Sequence, residues 1–236
     1  MNDPATSSHV VTGASGNLGS AVALRLLATG ARLALFDRDA TRINEAFAPE
    51  VAAGRVLAYA VDLSDEAAVR EAMRDADTRL GGLSGVASTV GGYIGAAPVS
   101  EGLASWDKMW SINVRTSVAV VSAALPLLSA RKAGSVVLVA SLAALGGTRG
   151  QGAYSAAKSA VLRLCEAAAD EVKASGVRVN AILPGTLDTP QNRAWMSEAD
   201  AALAIDPAAV ADVAAFLLSD AARAVTGAAL RVTGRQ

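Results

Sequence analysis

Short aliphatic runs alternate with longer segments rich in Ala, Leu, Glu and Arg along this 236-residue chain. This alternation is typical of successive βα units around a parallel sheet. The predicted strands are residues 9–12, 32–36, 55–60, 84–88, 135–140, 178–183 and 229–232, and the predicted main helices are residues 17–29, 41–53, 65–79, 105–129, 153–174 and 207–219. We therefore expect an α/β fold in three layers, with a parallel sheet of about seven strands between two layers of helices.

The chain contains no tandem repeat, low-complexity tract or Pro/Ser-rich linker that would mark a domain boundary. Its length suits one large α/β domain, so residues 1–236 are predicted to form a single domain with an integral substrate site. Two irregular segments, 91–100 and 185–205, each follow a predicted strand. Loops that leave the carboxyl ends of parallel strands gather where ligands bind, so both are expected to contact a substrate.

Charge and hydropathy argue against two classes of partner. The net charge is −1 and there is no basic block, so nucleic acid is not expected to bind. The apolar stretch 116–130 is shorter than the roughly 20 residues of a membrane-spanning helix, which favours a buried helix and no membrane contact. The start MNDPATSSHVV lacks a basic segment followed by an apolar one, so a cytoplasmic location is expected.

Cysteine and histidine are nearly absent. With Cys165 and His9 as the only residues of their types, no intrachain disulfide and no Cys/His zinc cluster can form. No metal is predicted, although carboxylate-only sites stay open. His9 directly precedes an apolar strand and is expected to cap it, so proton transfer must use another residue type.

Three glycines follow the first predicted strand and open the first predicted helix in TGASGNLG. Such glycines let the backbone turn tightly and bring a pyrophosphate close to the helix N-terminus, where NH groups attract negative charge. We predict a dinucleotide site in a Rossmann-like, doubly wound sheet, although a merely structural glycine turn is the alternative. The predicted contacts in the turn are Gly13, Ser15, Gly16, Asn17, Leu18 and Gly19.

Asp37 ends the second predicted strand. Its carboxylate could accept hydrogen bonds from the adenosine ribose hydroxyls and would repel a 2′-phosphate, so NAD is preferred over NADP. Arg38 keeps NADP open, and a solvated turn residue is the alternative for Asp37. Asp62 and Leu63, after the third predicted strand, are expected at the adenine, with helix capping as the alternative for Asp62.

Tyr154 and Lys158 lie four residues apart in YSAAK, so a helix places both on one face. A neighbouring cation stabilises a phenolate, which would make Tyr154 a usable acid/base at neutral pH. A buried aromatic beside a solvated lysine is the alternative. Ser141, after the apolar strand GSVVLVAS, could hold a substrate oxygen beside the phenol. Asn113, in the long helix before that strand, could pin a helix distortion or hold a water that relays protons from Lys158.

Together and in this order, these segments resemble the short-chain dehydrogenase/reductase superfamily over nearly the whole chain. They are TGASGNLG, Asp62, INV around Asn113, VASLAAL with Ser141, YSAAK and LPGTLDTP. The resemblance implies a catalytic set of Asn113, Ser141, Tyr154 and Lys158, with Lys158 also reaching the nicotinamide ribose. It further implies that Pro184 and Gly185 pack against the nicotinamide and that Thr189 binds its carboxamide.

The chain departs from the common family pattern in three places. The pattern TGxxxGxG has its middle glycine where Asn17 stands, whereas here Gly16 carries it, as in the TGxxGxxG of extended and atypical members. The family's NNAG is replaced by residues 88–91, STVG, which predicts a different side-chain support of the central sheet. After LDTP the chain is short, with one small helix expected before Asp206, so any substrate lid is modest.

The substrate side offers weaker signals. The segments DTPQNRAWM and VGGYIG are locally similar to dihydropteridine reductases, but those enzymes lack the active-site serine, so Ser141 favours carbonyl/alcohol chemistry. Tyr93, Trp195 and Met196 either line a substrate pocket or fill an interface or the core. Arg193 either contacts an anionic substrate group or cofactor phosphate or is solvated.

The predicted function is an NAD(P)-dependent oxidoreductase that interconverts a carbonyl and an alcohol on a small substrate by hydride transfer. The alternatives are a non-catalytic dinucleotide sensor or scaffold, a dihydropteridine-reductase-like activity, and an epimerase that retains NAD. The resemblance also implies a homotetramer or homodimer, assembled through the helices predicted at 105–129 and 153–174.

Overall fold

The computed structural model describes residues 7–95 and 98–234. Residues 1–6, on which the cytoplasmic prediction drew, and residues 96–97 of the predicted loop 91–100 lie outside the described residues. That the whole chain forms one domain stays a prediction.

Seven strands form one parallel sheet in the described part of the chain. They are β1 Ser8–Thr12, β2 Arg32–Asp37, β3 Val56–Ala60, β4 Gly85–Ser88, β5 Gly134–Val139, β6 Val177–Pro184 and β7 Ala229–Val232. The order β3-β2-β1-β4-β5-β6-β7 reverses direction between β1 and β4. The doubly wound fold is therefore confirmed, and a crevice opens at the carboxyl ends of β1 and β4.

Helices cover both faces of the sheet. They are α1 Asn17–Leu27, α2 Ala40–Ala46, α3 Ala48–Ala52, α4 Glu66–Leu80, α5 Leu103–Trp110, α6 Thr116–Arg131, α7 Gly152–Val172, α8 Pro190–Arg193, α9 Glu198–Leu203 and α10 Pro207–Leu218. Successive strand residues point to opposite faces of the sheet. Val10 therefore belongs to the hydrophobic core between the sheet and helices α4, α6 and α7. Val11 belongs to the core on the other face, between the sheet and helices α1 and α10. The three-layer arrangement is as predicted.

Two predicted helices are divided. The helix expected at 41–53 is two helices, α2 and α3, separated at the buried Phe47. Pro49 lies at the start of α3 and has no NH to continue the hydrogen bonding of α2. The single small helix expected before Asp206 is likewise two, α8 and α9, each capped by the hydroxyl of the residue before it.

The long helix before β5 runs from Leu103 to Arg131 with a π-helical segment, Ser111–Arg115, between α5 and α6. At 29 residues it is long and apolar enough to cross a membrane, so the argument that its apolar stretch is too short was wrong. Its most apolar window is 56% buried in the fold. Most residues of α6 pack against neighbouring elements, which confirms the predicted buried helix.

His9 was expected to cap the first strand. It lies instead within β1, which begins at Ser8. Its side chain is buried, and its Nδ1 atom has no hydrogen-bond partner among the residues that the structure describes. Because β1 is central in the sheet, helices and neighbouring strands cover this position. Burial lowers the pKa of His9 to about 4, so the imidazole is neutral at pH 7.

Candidate active site

A cleft of about 1320 Å³ opens at the carboxyl ends of the strands. It brings together sixteen of the predicted site residues: Gly13, Ser15, Gly16, Asn17, Leu18, Gly19, Asp37, Arg38, Asp62, Leu63, Ser141, Tyr154, Lys158, Pro184, Gly185 and Thr189. Asn113 does not line it, because it is fully buried behind the cleft wall.

The glycine turn joins β1 to α1 at one side of this cleft. Gly13 adopts a φ of +64°, a conformation that side chains disfavour. A Cβ atom on Gly19 would lie 2.1 Å from the carbonyl oxygen of Gly13, so only glycine permits this approach. Gly16 caps α1 without a side-chain hydrogen bond, which leaves the helix N-terminus to an external anion. The turn therefore fits a dinucleotide pyrophosphate.

Asp37 faces this turn from the end of β2. Its Oδ2 atom accepts hydrogen bonds from the backbone NH of Ser15 at 3.0 Å and from the Ser15 hydroxyl at 2.6 Å. Its Oδ1 atom accepts one from the backbone NH of Arg38 at 2.8 Å. A carboxylate has about four acceptor positions, so at least one remains for a ribose hydroxyl.

Asp62 does not cap the following helix, which was the alternative to a cofactor contact. Its Oδ1 atom accepts from the backbone NH and the hydroxyl of Ser64, and both bonds hold the pKa of Asp62 below its usual range. The cap of α4 is Asp65, which accepts from the NH groups of Ala67 and Ala68. Asp62 lies in the cleft wall, at the position predicted for the adenine.

Lys158 is buried at 4% exposure, so the alternative of a solvated lysine was wrong. Its Nζ atom donates to the carbonyl oxygen of Val139, the last residue of β5, at 2.9 Å. It lies 5.9 Å from the ring centroid of Tyr154, one turn earlier on α7. Burial lowers the pKa of Lys158 to about 8.

Tyr154 is half-buried, and burial is the largest cause that raises the pKa of its phenol. A hydrogen bond with Ser141 lowers that pKa in part, and the nearby phenol of Tyr93 raises it. The Lys158 ammonium donates to the carbonyl of Val139. The phenol is therefore protonated at neutral pH and can donate.

Ser141 lies two residues after the end of β5 and caps the 3₁₀ turn Leu142–Leu145. Its Oγ atom accepts from the backbone NH of Ala143 at 3.2 Å, which orients the hydroxyl. Across the cleft entrance, Tyr93 packs edge-on against Tyr154 with ring centroids 5.2 Å apart. A serine hydroxyl and a phenol thus share one wall, under an aromatic side chain.

Asn113 lies in the π-helical segment, which confirms the predicted helix distortion. Its Nδ2 atom donates to the carbonyls of Met109 and Gly92, each at 3.0 Å, and its Oδ1 atom accepts from the Gly92 NH at 3.1 Å. The amide therefore ties the long helix to the loop after β4. The predicted water relay stays a prediction.

Gly91 is a site residue for which sequence analysis found no role. A Cβ atom here would lie 2.7 Å from Asn113 Oδ1 and 2.8 Å from Lys158 Nζ, so glycine is what lets both the amide and the ammonium approach the backbone at this position. Its place in the altered NNAG segment was the available signal. In the same segment, the Thr89 hydroxyl donates to the carbonyl of Thr12 at 2.5 Å, which joins β4 to β1 at the switch point and confirms a different support of the sheet.

The segment after β6 forms the far wall. Pro184, Gly185 and the buried Thr189 line the cleft. Thr189 caps α8, and its Oγ1 atom accepts from the NH of Asn192 at 3.2 Å, so its hydroxyl proton can still be donated. Of the three residues for which a pocket or a filling role was left open, Tyr93 and Trp195 line the cleft, whereas Met196 does not. Arg193 is also outside the lining and pairs with Asp188.

The chain is similar in sequence and in structure to known dehydrogenases. The family model described as short chain dehydrogenase matches residues 8–200. The 2-(R)-hydroxypropyl-CoM dehydrogenase of Xanthobacter autotrophicus is 33% identical, with 95% of this chain and 96% of the relative covered. The cis-4-hydroxycyclohexanecarboxylate dehydrogenase of Sinomonas cyclohexanicum is 35% identical, with 95% and 94% covered. A solved short-chain type dehydrogenase/reductase from Mycobacterium ulcerans superimposes with a TM-score of 0.91 at 31% identity, covering 97% of this chain and 89% of that one.

Proposed function

Because this chain belongs to the short chain dehydrogenase family and is an NAD(P)-dependent oxidoreductase acting on CH–OH groups, we propose that Tyr154 is its catalytic acid/base. The observation that carries the proposal is the meeting of Tyr154, Ser141 and Lys158 on one wall of the cleft, opposite the glycine turn. The dehydrogenase relatives do not favour a sensor, a pteridine reductase or an epimerase.

The roles of the side chains follow from their donors and burial. When bound, the nicotinamide supplies or accepts the hydride at the substrate carbon. Tyr154 donates its phenolic proton to the carbonyl oxygen during reduction and takes a proton from the alcohol during oxidation. Ser141 donates a hydrogen bond to the same oxygen and holds it beside the phenol. Lys158 would hold the nicotinamide ribose, and Asn113 keeps the loop at Gly91 and Gly92 in place beside Lys158.

The cofactor is held along the whole cleft. The turn residues Gly13, Ser15, Gly16, Asn17, Leu18 and Gly19 would bind the pyrophosphate and ribose, Asp62 and Leu63 the adenine, and Pro184, Gly185 and Thr189 the nicotinamide. We propose NAD as the preferred cofactor because the Asp37 carboxylate, fixed by Ser15 at the end of β2, would repel a 2′-phosphate and could accept hydrogen bonds from ribose hydroxyls. Arg38 and Arg42 also line this end of the cleft and could pair with a 2′-phosphate. We therefore propose that NADP binds as well, but more weakly than NAD.

We propose a small secondary alcohol or the matching ketone as substrate. The relatives named above act on hydroxypropyl and hydroxycyclohexane compounds, each with a secondary alcohol. Tyr93 and Trp195 would cover the carbon skeleton at the entrance, since both line the cleft with exposed rings. A substrate contact by Arg193 is not proposed, because Asp188 holds its guanidinium outside the cleft.

We propose that the chain works in the cytoplasm as a homodimer or homotetramer. The long helix Leu103–Arg131 and α7 would form the contacts between subunits. Trp110 on α5 and Val118 on α6 are exposed apolar side chains on that helix. The small residues along α7 would let two helices pack closely.

The test is a fluorescence titration with NADH and NADPH, followed by turnover assays on a panel of ketones and secondary alcohols. Tyr154→Phe should bind cofactor normally and lose turnover by about 100-fold or more, since only the transferable proton is removed. NADH should bind more tightly than NADPH. Normal turnover by the phenylalanine variant would contradict the role of Tyr154, and failure of both NADH and NADPH to bind would contradict the site.

A further inference from the structure

A side-chain hydrogen bond crosses the proposed cofactor cleft. The Nδ2 atom of Asn17 donates to the Oε1 atom of Gln191 at 2.8 Å, although the two residues are 174 positions apart. Asn17 is the first residue of α1, and Gln191 lies in α8. Both line the cleft, one from the glycine turn and one from the segment after β6. The pair therefore links two walls that would lie on either side of a bound dinucleotide.

The bridge depends on a departure from the family pattern. Asn17 stands where the common glycine turn has its middle glycine. Glycine has no side chain, so a chain with the common turn could not form this contact. The helix begins at Asn17, and its exposed side chain can extend over the cleft toward α8.

Other side-chain contacts of α8 are local. The Asn192 Nδ2 atom donates to the carbonyl of Leu187 at 2.9 Å, and Arg193 pairs with Asp188. These bonds connect residues five positions apart and shape the segment itself. The contact between Gln191 and Asn17 instead joins α8 to the glycine turn, 174 positions away in the sequence.

We propose that Asn17 and Gln191 are positioning residues that hold α8 across the bound dinucleotide, and with it the hydroxyl of Thr189. Thr189 immediately precedes α8 and caps it, so a shift of α8 moves this hydroxyl. Opening of this hydrogen bond would free α8 to move and would speed cofactor release. This inference rests on the proposed function, because it takes the cleft to be the NAD(P) site.

The test compares release rates of NADH in stopped-flow fluorescence for Asn17→Gly, Gln191→Ala and the double variant. Each single variant should release NADH about 3- to 10-fold faster, the range that the net contribution of one hydrogen bond allows. The double variant should be no faster than either single one, because all three lack the same bond. The turnover number at saturating cofactor should change less than the KM for cofactor.

Two further variants separate positioning from general damage. Exchanging the residues, with Asn17→Gln and Gln191→Asn together, keeps the combined length of the two side chains and should return the release rate to within about twofold of wild type. Glu198→Gln on α9 is the matched control, since this exposed residue lies outside the cleft, and it should release NADH at the wild-type rate.

Wild-type release rates in both single variants, or additive effects in the double variant, would overturn the bridge and leave the proposed function standing. An exchanged pair that releases NADH as fast as the double variant would also count against it. If the wild-type chain binds neither NADH nor NADPH, the proposed function fails and the inference falls with it.

Discussion

Lys158 is a buried ammonium with one backbone acceptor, the carbonyl of Val139. Burial of a charge is unfavourable, and the pKa of Lys158 is lowered from its ordinary value of 10.5 to about 8 as a result. The folded chain therefore carries an unfavourably buried charge at neutral pH, 5.9 Å from the ring centroid of Tyr154. Stability and activity oppose each other at this residue.

Lys158→Met should stabilise the fold and abolish catalysis. At pH 7 the buried charge costs up to roughly 3 kcal/mol, so the free energy of unfolding should rise by about 1–3 kcal/mol while turnover falls by about 100-fold or more. Because the folded pKa lies below the unfolded one, this gain should be complete below pH 8 and shrink as the pH rises toward 10.5. Urea unfolding at pH 7 and pH 10 measures it, and a less stable variant at pH 7 would contradict it.

His9 makes the acid stability of the chain unusually easy to assign, since it is the only histidine. Its pKa is lowered from 6.5 to about 4 by burial, so the unfolded chain binds the extra proton between these values and stability falls as the pH falls through this window. In His9→Leu, the loss of unfolding free energy between pH 7 and pH 5 should be smaller by about 2 kcal/mol. Equal losses in wild type and variant, measured by urea unfolding, would refute the assignment.

At the scale of elements, the first βα unit depends on how closely α1 approaches β1. A methyl group on Gly19 would collide with the Gly13 carbonyl at 2.1 Å, whereas one on Gly16 would lie at 3.2 Å. The first contact involves two backbone segments, so neither can move without shifting the helix.

Gly19→Ala should therefore lower the free energy of unfolding by about 2 kcal/mol or more and eliminate NADH binding. Gly16→Ala is the matched control and should cost about 1 kcal/mol or less, because its φ of −79° suits alanine. Thermal unfolding and NADH titration of the two variants test the difference. Equal stability of both variants would show that α1 can adjust its position.

At the scale of the whole molecule, the strand order decides where the site lies. Thr89 and Thr12 join β4 to β1 at the point where the order reverses, and the cleft opens above them. The long helix lies on the opposite side from α1 and exposes Val118 and Trp110 to solvent. The proposed subunit contacts therefore lie on a face away from the glycine turn.

Val118→Glu should weaken the proposed assembly without unfolding the subunit, because Val118 is 44% exposed and the change places a charge in an apolar contact. Light scattering at micromolar concentration should show a molecular mass reduced to one half or one quarter. Leu24→Glu on α1, also exposed, is the control and should keep the wild-type mass. A wild-type chain that is monomeric would contradict the assembly.

The sequence alone determined the features that depend on neighbours along the chain. Strand ends were predicted to within one residue because β-branched runs and turn signals are local. The glycine turn and the four-residue spacing of Tyr154 and Lys158 are local as well, so their placement in one cleft followed from the βα order. The division at Pro49 was also readable from the sequence and was missed.

Only the tertiary structure decided the contacts between distant segments. The burial of His9, the bond from Lys158 to Val139, the fixing of Asn113 by Gly92 and the bridge from Asn17 to Gln191 each join residues brought together by the sheet order. The hydrophobic periodicity of the sequence does not predict these contacts. They depend on the distances between elements and on which side chains the fold buries away from water. These contacts set the charge of the buried groups and the shape of the cleft.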